Sequence, residues 1–192
     1  MLNVAILGCG RWGQNHLRVL SELKQEGIVG KITVVDTSKS AREAAILADT
    51  TSSTIDELDA ELVIIATPSN LHSIQAIELI KRGHHVLVEK PLGSSEYDAA
   101  EVISTAQEHG RLLSVGLLLR FHPVVKLIQN LISNGKLGRI ESLRFVRRST
   151  RQPSNGNNVI ESLGVHGIDL LCHLLGEVEP SAVNVEGDEI ES

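Results

Sequence analysis

The sequence predicts an α/β fold, a doubly wound parallel sheet followed by a short, incomplete α+β second domain. Short, apolar, β-branched runs recur up to Gly116, and segments with helical spacing separate them. After Gly116 the pattern changes to apolar residues mixed with charge and to a loop rich in Pro, Asn and Gly.

Residues 2–7, LNVAIL, read as a strand buried on both faces. GCGRWG follows, with Gly8, Gly10 and Gly13 at G-x-G-x-x-G spacing, leading into a helix over 11–26. The first glycine permits a tight turn, the second lets a pyrophosphate approach the backbone, and the third lets helix and strand pack closely. Free amides and the helix dipole meet an anion there. Glycines alone would be weak evidence; between a strand and a helix they predict a dinucleotide-binding domain of Rossmann type, with Arg11 and Trp12 beside the cofactor.

Residues 31–36, KITVVD, form the second strand. Asp36 at its end can accept hydrogen bonds from both ribose hydroxyls and would repel a 2′-phosphate, which favours NAD, while the nearby Lys39 and Arg42 keep NADP possible. The structural alternative is that Asp36 caps the helix expected over 39–48. TTSST then suggests a short strand, residues 61–67, 84–90 and 112–116 three more, with helices over 70–82 and 95–109 between them. Such alternation implies right-handed crossovers with helices on both faces of the sheet.

Beyond Gly116 come a helix over 122–134, a mixed strand over 139–148, the loop TRQPSNGNN, a helix over 159–176 and a last strand over 182–186. The expected domains are a cofactor-binding one over 1–120 and a short substrate or oligomerisation one over 121–192.

Composition narrows the function. Hydrophobic residues at 42% and charged residues at 22% match a folded globular chain rather than a disordered one. A net charge of −6, with Lys and Arg dispersed, argues against nucleic acid. Apolar runs such as LVIIA fall far short of the ~20 residues a membrane span needs, so no membrane is expected and the location reads as cytoplasmic. The two cysteines, Cys9 and Cys172, lack redox or metal spacing and are expected to be buried or half-buried free thiols.

VLVEKPLG puts Glu89, Lys90 and Pro91 at the carboxyl end of a strand, the edge where open α/β sheets bind ligands. With IATPSNLHS and the glycine turn, the chain resembles the glucose-fructose oxidoreductase, inositol dehydrogenase and rhizopine-catabolism (Gfo/Idh/MocA) family of NAD(P)-dependent oxidoreductases over about residues 1–178. The resemblance implies that Thr67, Pro68, Asn70 and His72 line the cofactor site, that Glu89 holds cofactor ribose, and that Lys90, joined to Pro91 by a cis bond, reaches the reacting hydroxyl. The bland alternative for Glu-Lys-Pro is a surface turn.

VIESLGVHGIDLL resembles the family's second signature, an Asp four residues before a His and another Asp three after it. His166 and Asp169 match; Ser162 stands at the first acidic position. Spacing of three and four sets Ser162, His166, Asp169 and His173 on one side of a helix. His166 is the expected base for the hydroxyl proton and Lys90 the cation beside the developing alkoxide. Ser162, Asp169 and Arg120 are the expected substrate contacts, and Ser162 can bond but not supply a negative charge. The plain alternative makes His166 a buried structural histidine. His166, Asp169 and His173 could in principle hold a metal, but no other ligand converges and the family implies none.

The reading is thus an NAD(P)-dependent oxidoreductase moving hydride between a nicotinamide and a hydroxyl carbon of a sugar, nucleotide sugar or polyol. The alternative is a catalytically reduced nucleotide-binding or partner subunit that keeps the glycine grip. The resemblance also implies a larger second domain; two strands are too few for a self-sufficient sheet, so a homo-oligomer pairing strands at 139–148 and 182–186 is expected.

Overall fold

The computed structural model describes residues 1–148, 163–176, 180–184 and 186. The chain divides into two compact units, residues 1–116 and 117–192.

The first unit is a six-stranded, wholly parallel sheet: β1 (Leu2–Leu7), β2 (Val29–Val35), β3 (Thr50–Ser52), β4 (Leu62–Ile65), β5 (His85–Val88) and β6 (Leu113–Val115). Their order across the sheet is β3-β2-β1-β4-β5-β6, the doubly wound arrangement the sequence predicts. Winding reverses between β1 and β4, and a crevice opens outside the carboxyl ends of those two strands. The register aligns Leu7 with Val35 on one side and Ile65 on the other, so the segments after all three strands emerge together.

Side chains alternate between two cores. Ala5 and Leu7 of β1 pack with Val63, Ile65, Val86 and Val88 under the helices α3 (His72–Lys81) and α4 (Glu96–Glu108). Val4 and Ile6 pack with Ile32, Val34 and Ile64 under Leu17 and Leu20 of α1 (Arg11–Gln25). Burial on both faces explains why these strands read as unbroken apolar runs.

Element edges differ from the sequence expectation where side chains intervene. The helix expected over 39–48 stops early, as α2 (Lys39–Glu43). Ala45 and Ala48 amides then make tight three-residue-spaced turns, and Asp49 turns back to exchange bonds with Ile32, its amide to that carbonyl and its Oδ2 accepting that amide at 2.7 Å. A single 3₁₀ turn, Ser69–Leu71, precedes α3 in place of the first helical residues.

The second unit holds a 3₁₀ turn (Leu118–Phe121), α5 (Pro123–Ser133) and α6 (Val165–Leu175). His122 starts α5, its Nδ1 accepting the Val124 amide at 3.2 Å, with Pro123 in the first turn where its missing N–H costs nothing. Among the described residues, 139–148, 182–184 and 186 pair with no strand, where the sequence suggests strands over 139–148 and 182–186. An extended segment becomes a strand only through a partner's ladder, and among the described residues of this unit neither segment has one. No helix among the described residues is long and apolar enough to cross a membrane.

Candidate active site

The glycine turn fills the space between β1 and α1. Gly8 has φ +90°, and a Cβ there would sit 2.8 Å from the Ala66 carbonyl oxygen and the Thr67 nitrogen. A Cβ on Gly13 would stand 2.0 Å from the Gly8 carbonyl oxygen. Gly10, between them, faces open space with nothing within 4 Å. Two glycines are therefore consumed by the fold, and the third leaves its backbone uncovered at the start of α1, the place where an anion meets unpaired amides.

That space belongs to a cleft of about 710 Å³ at the sheet's switch point. Gly8, Gly10, Arg11, Trp12, Asp36, Thr67 and Pro68 line it, seven of the residues the sequence nominates. Its far wall comes from Thr54, Ile55, Asp56, Leu71, Gln75, Glu78 and Arg82, which the sequence reading did not nominate. The wall spans the turn after β3 and one face of α3 with the residues that cap it, where Leu71, Gln75, Glu78 and Arg82 recur at spacings of three and four. That periodicity was the available signal.

Asp36 sits at the rim with both carboxylate oxygens engaged. Oδ2 accepts the Cys9 amide at 2.7 Å and Oδ1 accepts the Ser38 amide at 2.8 Å. The cap of α2 is Ser38, whose hydroxyl accepts the Ala41 amide, so the capping alternative for Asp36 fails. Arg42 donates to the backbone carbonyls of Asp36 and Thr37 at 2.5 and 3.0 Å, and Lys39 pairs with Glu43. Burial first, and then the Asp36 charge, pushes the Cys9 thiol above its ordinary range, which keeps it protonated and unreactive inside the turn. Cys172 is also free but exposed, contrary to the buried or half-buried expectation, because it lies on the outward side of α6.

Arg11 stands over the Trp12 ring at 5.9 Å, within cation–π range. The Thr67 hydroxyl donates to Gln75 Oε1 at 2.6 Å, tying the turn after β4 to α3. Asn70 is exposed on the 3₁₀ turn. His72, expected to line the cofactor site, is instead 2% exposed and does not line the cleft; its ring nitrogens face the carbonyls of Pro91 and Thr67. It stands first in α3, and the following helix carries its ring beneath the loop ends rather than out among them.

At the end of β5, Glu89 is buried, with Oε1 2.8 Å from His16 Nε2 and its carboxylate against Gly116, where a Cβ would come within 3.0 Å. His16 escaped the sequence reading. It shares the buried face of α1 with Gly13, Leu17 and Leu20, and a polar residue on that apolar stripe was the clue. Lys90 is half-buried, and its bond to Pro91 is cis.

In the second unit, His166, Asp169 and Leu170 form the buried face of α6, while Ile168 is 57% exposed. The polar stripe is the inward one. Arg120 donates from Nε and Nη2 to Asp169 Oδ1 at 2.8 and 2.5 Å, and this pairing with Asp169 holds the guanidinium firmly cationic, its pKa raised. Among the described residues, Asp169 Oδ2 is buried and has no hydrogen-bond partner. Ser162 lies outside the described residues. Among the described residues, no group of three His, Cys, Asp or Glu side chains is placed to hold a metal ion.

Residues 2–117 match the model of a family described as an oxidoreductase family with an NAD-binding Rossmann fold, GFO_IDH_MocA. Inositol 2-dehydrogenase 2 of Saccharopolyspora erythraea is 28% identical over 92% of the chain and 54% of its own length. The WlbA dehydrogenase of Bordetella pertussis, solved with NADH and UDP-GlcNAcA, superposes with a TM-score of 0.66 at 29% identity over 72% of the chain and 43% of its own. Scyllo-inositol dehydrogenase of Lactobacillus casei, solved with NAD(H) and scyllo-inositol, shares the fold, with a TM-score of 0.78 at 21% identity over 92% of the chain and 56% of its own. The chain spans about half the length of the curated relatives it matches.

Proposed function

Because the chain belongs to this NAD-binding oxidoreductase family, we propose that it transfers hydride between a nicotinamide cofactor and a hydroxyl carbon of a sugar, nucleotide sugar or polyol. One observation carries the reading. At the switch point, Gly8 and Gly13 have no room for a side chain while Gly10 stands open to the cleft, which fits a diphosphate and leaves the turn no other evident use.

In this reading the Gly10 turn holds the diphosphate, with Arg11 and Trp12 beside it, and Asp36 meets the adenosine ribose. NAD is favoured over NADP, because Asp36 opposes a 2′-phosphate and Arg42 is engaged with backbone carbonyls. Thr67 and Pro68 form the opposite wall. Glu89, held by His16, is a buried carboxyl next to Lys90 in the chain. When bound, the nicotinamide supplies the hydride acceptor.

Lys90 offers an ammonium to the developing alkoxide, and His166 takes the hydroxyl proton. Asp169, held by Arg120 through one oxygen, offers its other oxygen to a substrate hydroxyl, with Ser162 as a further hydrogen-bonding contact. Residues 1–120 would thus serve the cofactor and residues 121–192 the substrate. Relatives acting on inositol and the NADH and UDP-GlcNAcA complex support that substrate range. Free Cys9 and Cys172 suit a reducing, cytoplasmic compartment. A homo-oligomer, expected through strand edges, now rests on the outward apolar side chains of α5, Val124 and Leu127.

The test is NADH titration by fluorescence, followed by turnover of inositols and UDP-sugars read at the reduced nicotinamide band. Lys90→Met and His166→Ala are each expected to lower kcat by about 100-fold or more, with NADH affinity nearly unchanged. Unchanged turnover in either variant refutes its role. Tight NADH binding with no turnover in the wild-type chain would favour the nucleotide-binding subunit instead.

A further inference from the structure

His72 is the most deeply buried ionisable side chain near the cleft that hydride transfer does not use. It is 2% exposed, it begins α3, and its ring lies between two loop carbonyls. Nδ1 is 2.7 Å from the Pro91 oxygen and Nε2 is 2.9 Å from the Thr67 oxygen. Those carbonyls belong to different strand ends. Thr67 follows β4 and lines the cleft, whereas Pro91 follows β5 and directly succeeds Lys90. Both segments have left the sheet ladder, so their carbonyls need partners from side chains or from other loops.

A leucine would fill the same volume without the cost of burying a polar ring. What the imidazole adds is two bonding atoms fixed about the edge of one rigid plane. Each ring nitrogen lies within hydrogen-bonding distance of one of the two carbonyl oxygens, and either nitrogen can carry the N–H that donates to it. The ring therefore sets the spacing between the turn that carries Lys90 and the loop that forms the Thr67 wall.

We propose that His72 is a positioning residue with two separable duties, Nδ1 fixing the Lys90-Pro91 turn and Nε2 fixing the Thr67 loop. The assignment to catalysis rests on the dehydrogenase reading above; the assignment of the two bonds does not. If Lys90 stabilises the alkoxide, the first duty acts on kcat. If Thr67 lines the cofactor cleft, the second acts on cofactor affinity.

Two conservative variants separate the duties. The amide nitrogen of asparagine falls near the position of Nδ1, and that of glutamine near Nε2. In the full chain without cofactor, amide hydrogen exchange is followed at Leu92 and Gly93 for the turn, and at Thr67 and Ser69 for the loop. NADH affinity and kcat are measured in parallel.

His72→Asn is expected to speed exchange at Thr67 and Ser69 only, and to weaken NADH binding about fivefold with kcat held within about twofold. His72→Gln is expected to speed exchange at Leu92 and Gly93 only, lowering kcat about tenfold at nearly unchanged NADH affinity. His72→Leu should do both. The same exchange pattern in the Asn and Gln variants, or wild-type exchange in both, overturns the proposal. Should one variant fail to fold, the other still discriminates, because each predicts acceleration at one pair of amides and not at the other. A wild-type chain that binds no NADH while the exchange split persists overturns the dehydrogenase reading and supports the clamp.

Discussion

The two units draw on the same stock of aliphatic residues and use it differently. In residues 1–116, every strand but the short edge ones buries side chains on both faces, and α1, α3 and α4 each close one side of the sheet. Among the described residues of 117–192, only Val125 and Leu170 count as buried aliphatics, while Phe121, Val124, Leu127, Val146 and Ile168 are more than half exposed. A sheet offers two surfaces for burial, and a helix offers one stripe. The first unit is therefore a packed scaffold from which its loops emerge at fixed strand ends. The second presents a buried polar stripe on α6 and outward apolar side chains on α5.

The largest effect that could break this contrast comes from adding one methyl group in each unit. Gly13→Ala would drive a Cβ to 2.0 Å from the Gly8 carbonyl oxygen, a backbone atom fixed between β1 and α1. The expected cost is at least about 3 kcal/mol, together with loss of NADH binding. Gly167→Ala in α6 would bring its Cβ to 2.7 Å from Phe145 Cδ1 and 3.3 Å from Phe145 Cβ, a partly exposed side chain rather than a backbone atom. Removing a mid-helix glycine returns roughly 1 kcal/mol of helix propensity, so the net change should lie within about 1 kcal/mol of zero. Urea unfolding of both variants makes the comparison; equal losses would show that the second unit is packed as rigidly as the first.

The next effect removes bulk. Leu79 is wholly buried under the sheet, and Leu79→Ala should cost about 2–5 kcal/mol. Leu127, 56% exposed on α5, should lose no more than about 0.5 kcal/mol on the same change. A large loss at Leu127, measured by the same unfolding curves, would mean that its outward face is covered in solution, and a sizing experiment on the wild-type chain would then show a species larger than the monomer.

Legibility followed the same divide. In the first unit, every strand but the polar β3 could be read because solid apolar runs and a glycine turn are strong local signals. Seven nominated cofactor residues share one cleft for that reason. The inward role of His72 was not legible, since a histidine four residues past Pro68 gives no sign of whether its ring turns out to a ligand or in to two carbonyls. His16 and Arg82 were missed because their partners, Glu89 and the turn near Ile55, are distant in sequence. In the second unit, Ile140, Leu143 and Phe145 mixed with charges suggested a strand, but pairing is a property of two segments and a sequence shows one at a time.

The smallest effect tests the rim of the first unit, where polar rather than apolar contacts hold the edge. Asp49 precedes β3; its Oδ1 accepts from the Lys24 ammonium and its Oδ2 from the Ile32 amide. The Lys24 hydrogen bond chiefly, and the Ile32 amide next, hold its carboxyl below the ordinary range. A carboxyl depressed in the folded state stabilises the fold fully above its unfolded value near 3.9, and that contribution is lost as pH falls through the lower folded value. Asp49→Asn keeps an oxygen for Ile32 but gives up the charge. The variant should be less stable than the wild type at pH 7, by under about 1 kcal/mol because the pair is more than a third exposed and screened. The gap should narrow below about pH 4 and close in stronger acid. A gap that stays constant from pH 7 to pH 3 in paired thermal unfolding would mean that the carboxylate acts at this edge by shape alone, and that the rim owes its order to the β2–β3 ladder rather than to charge.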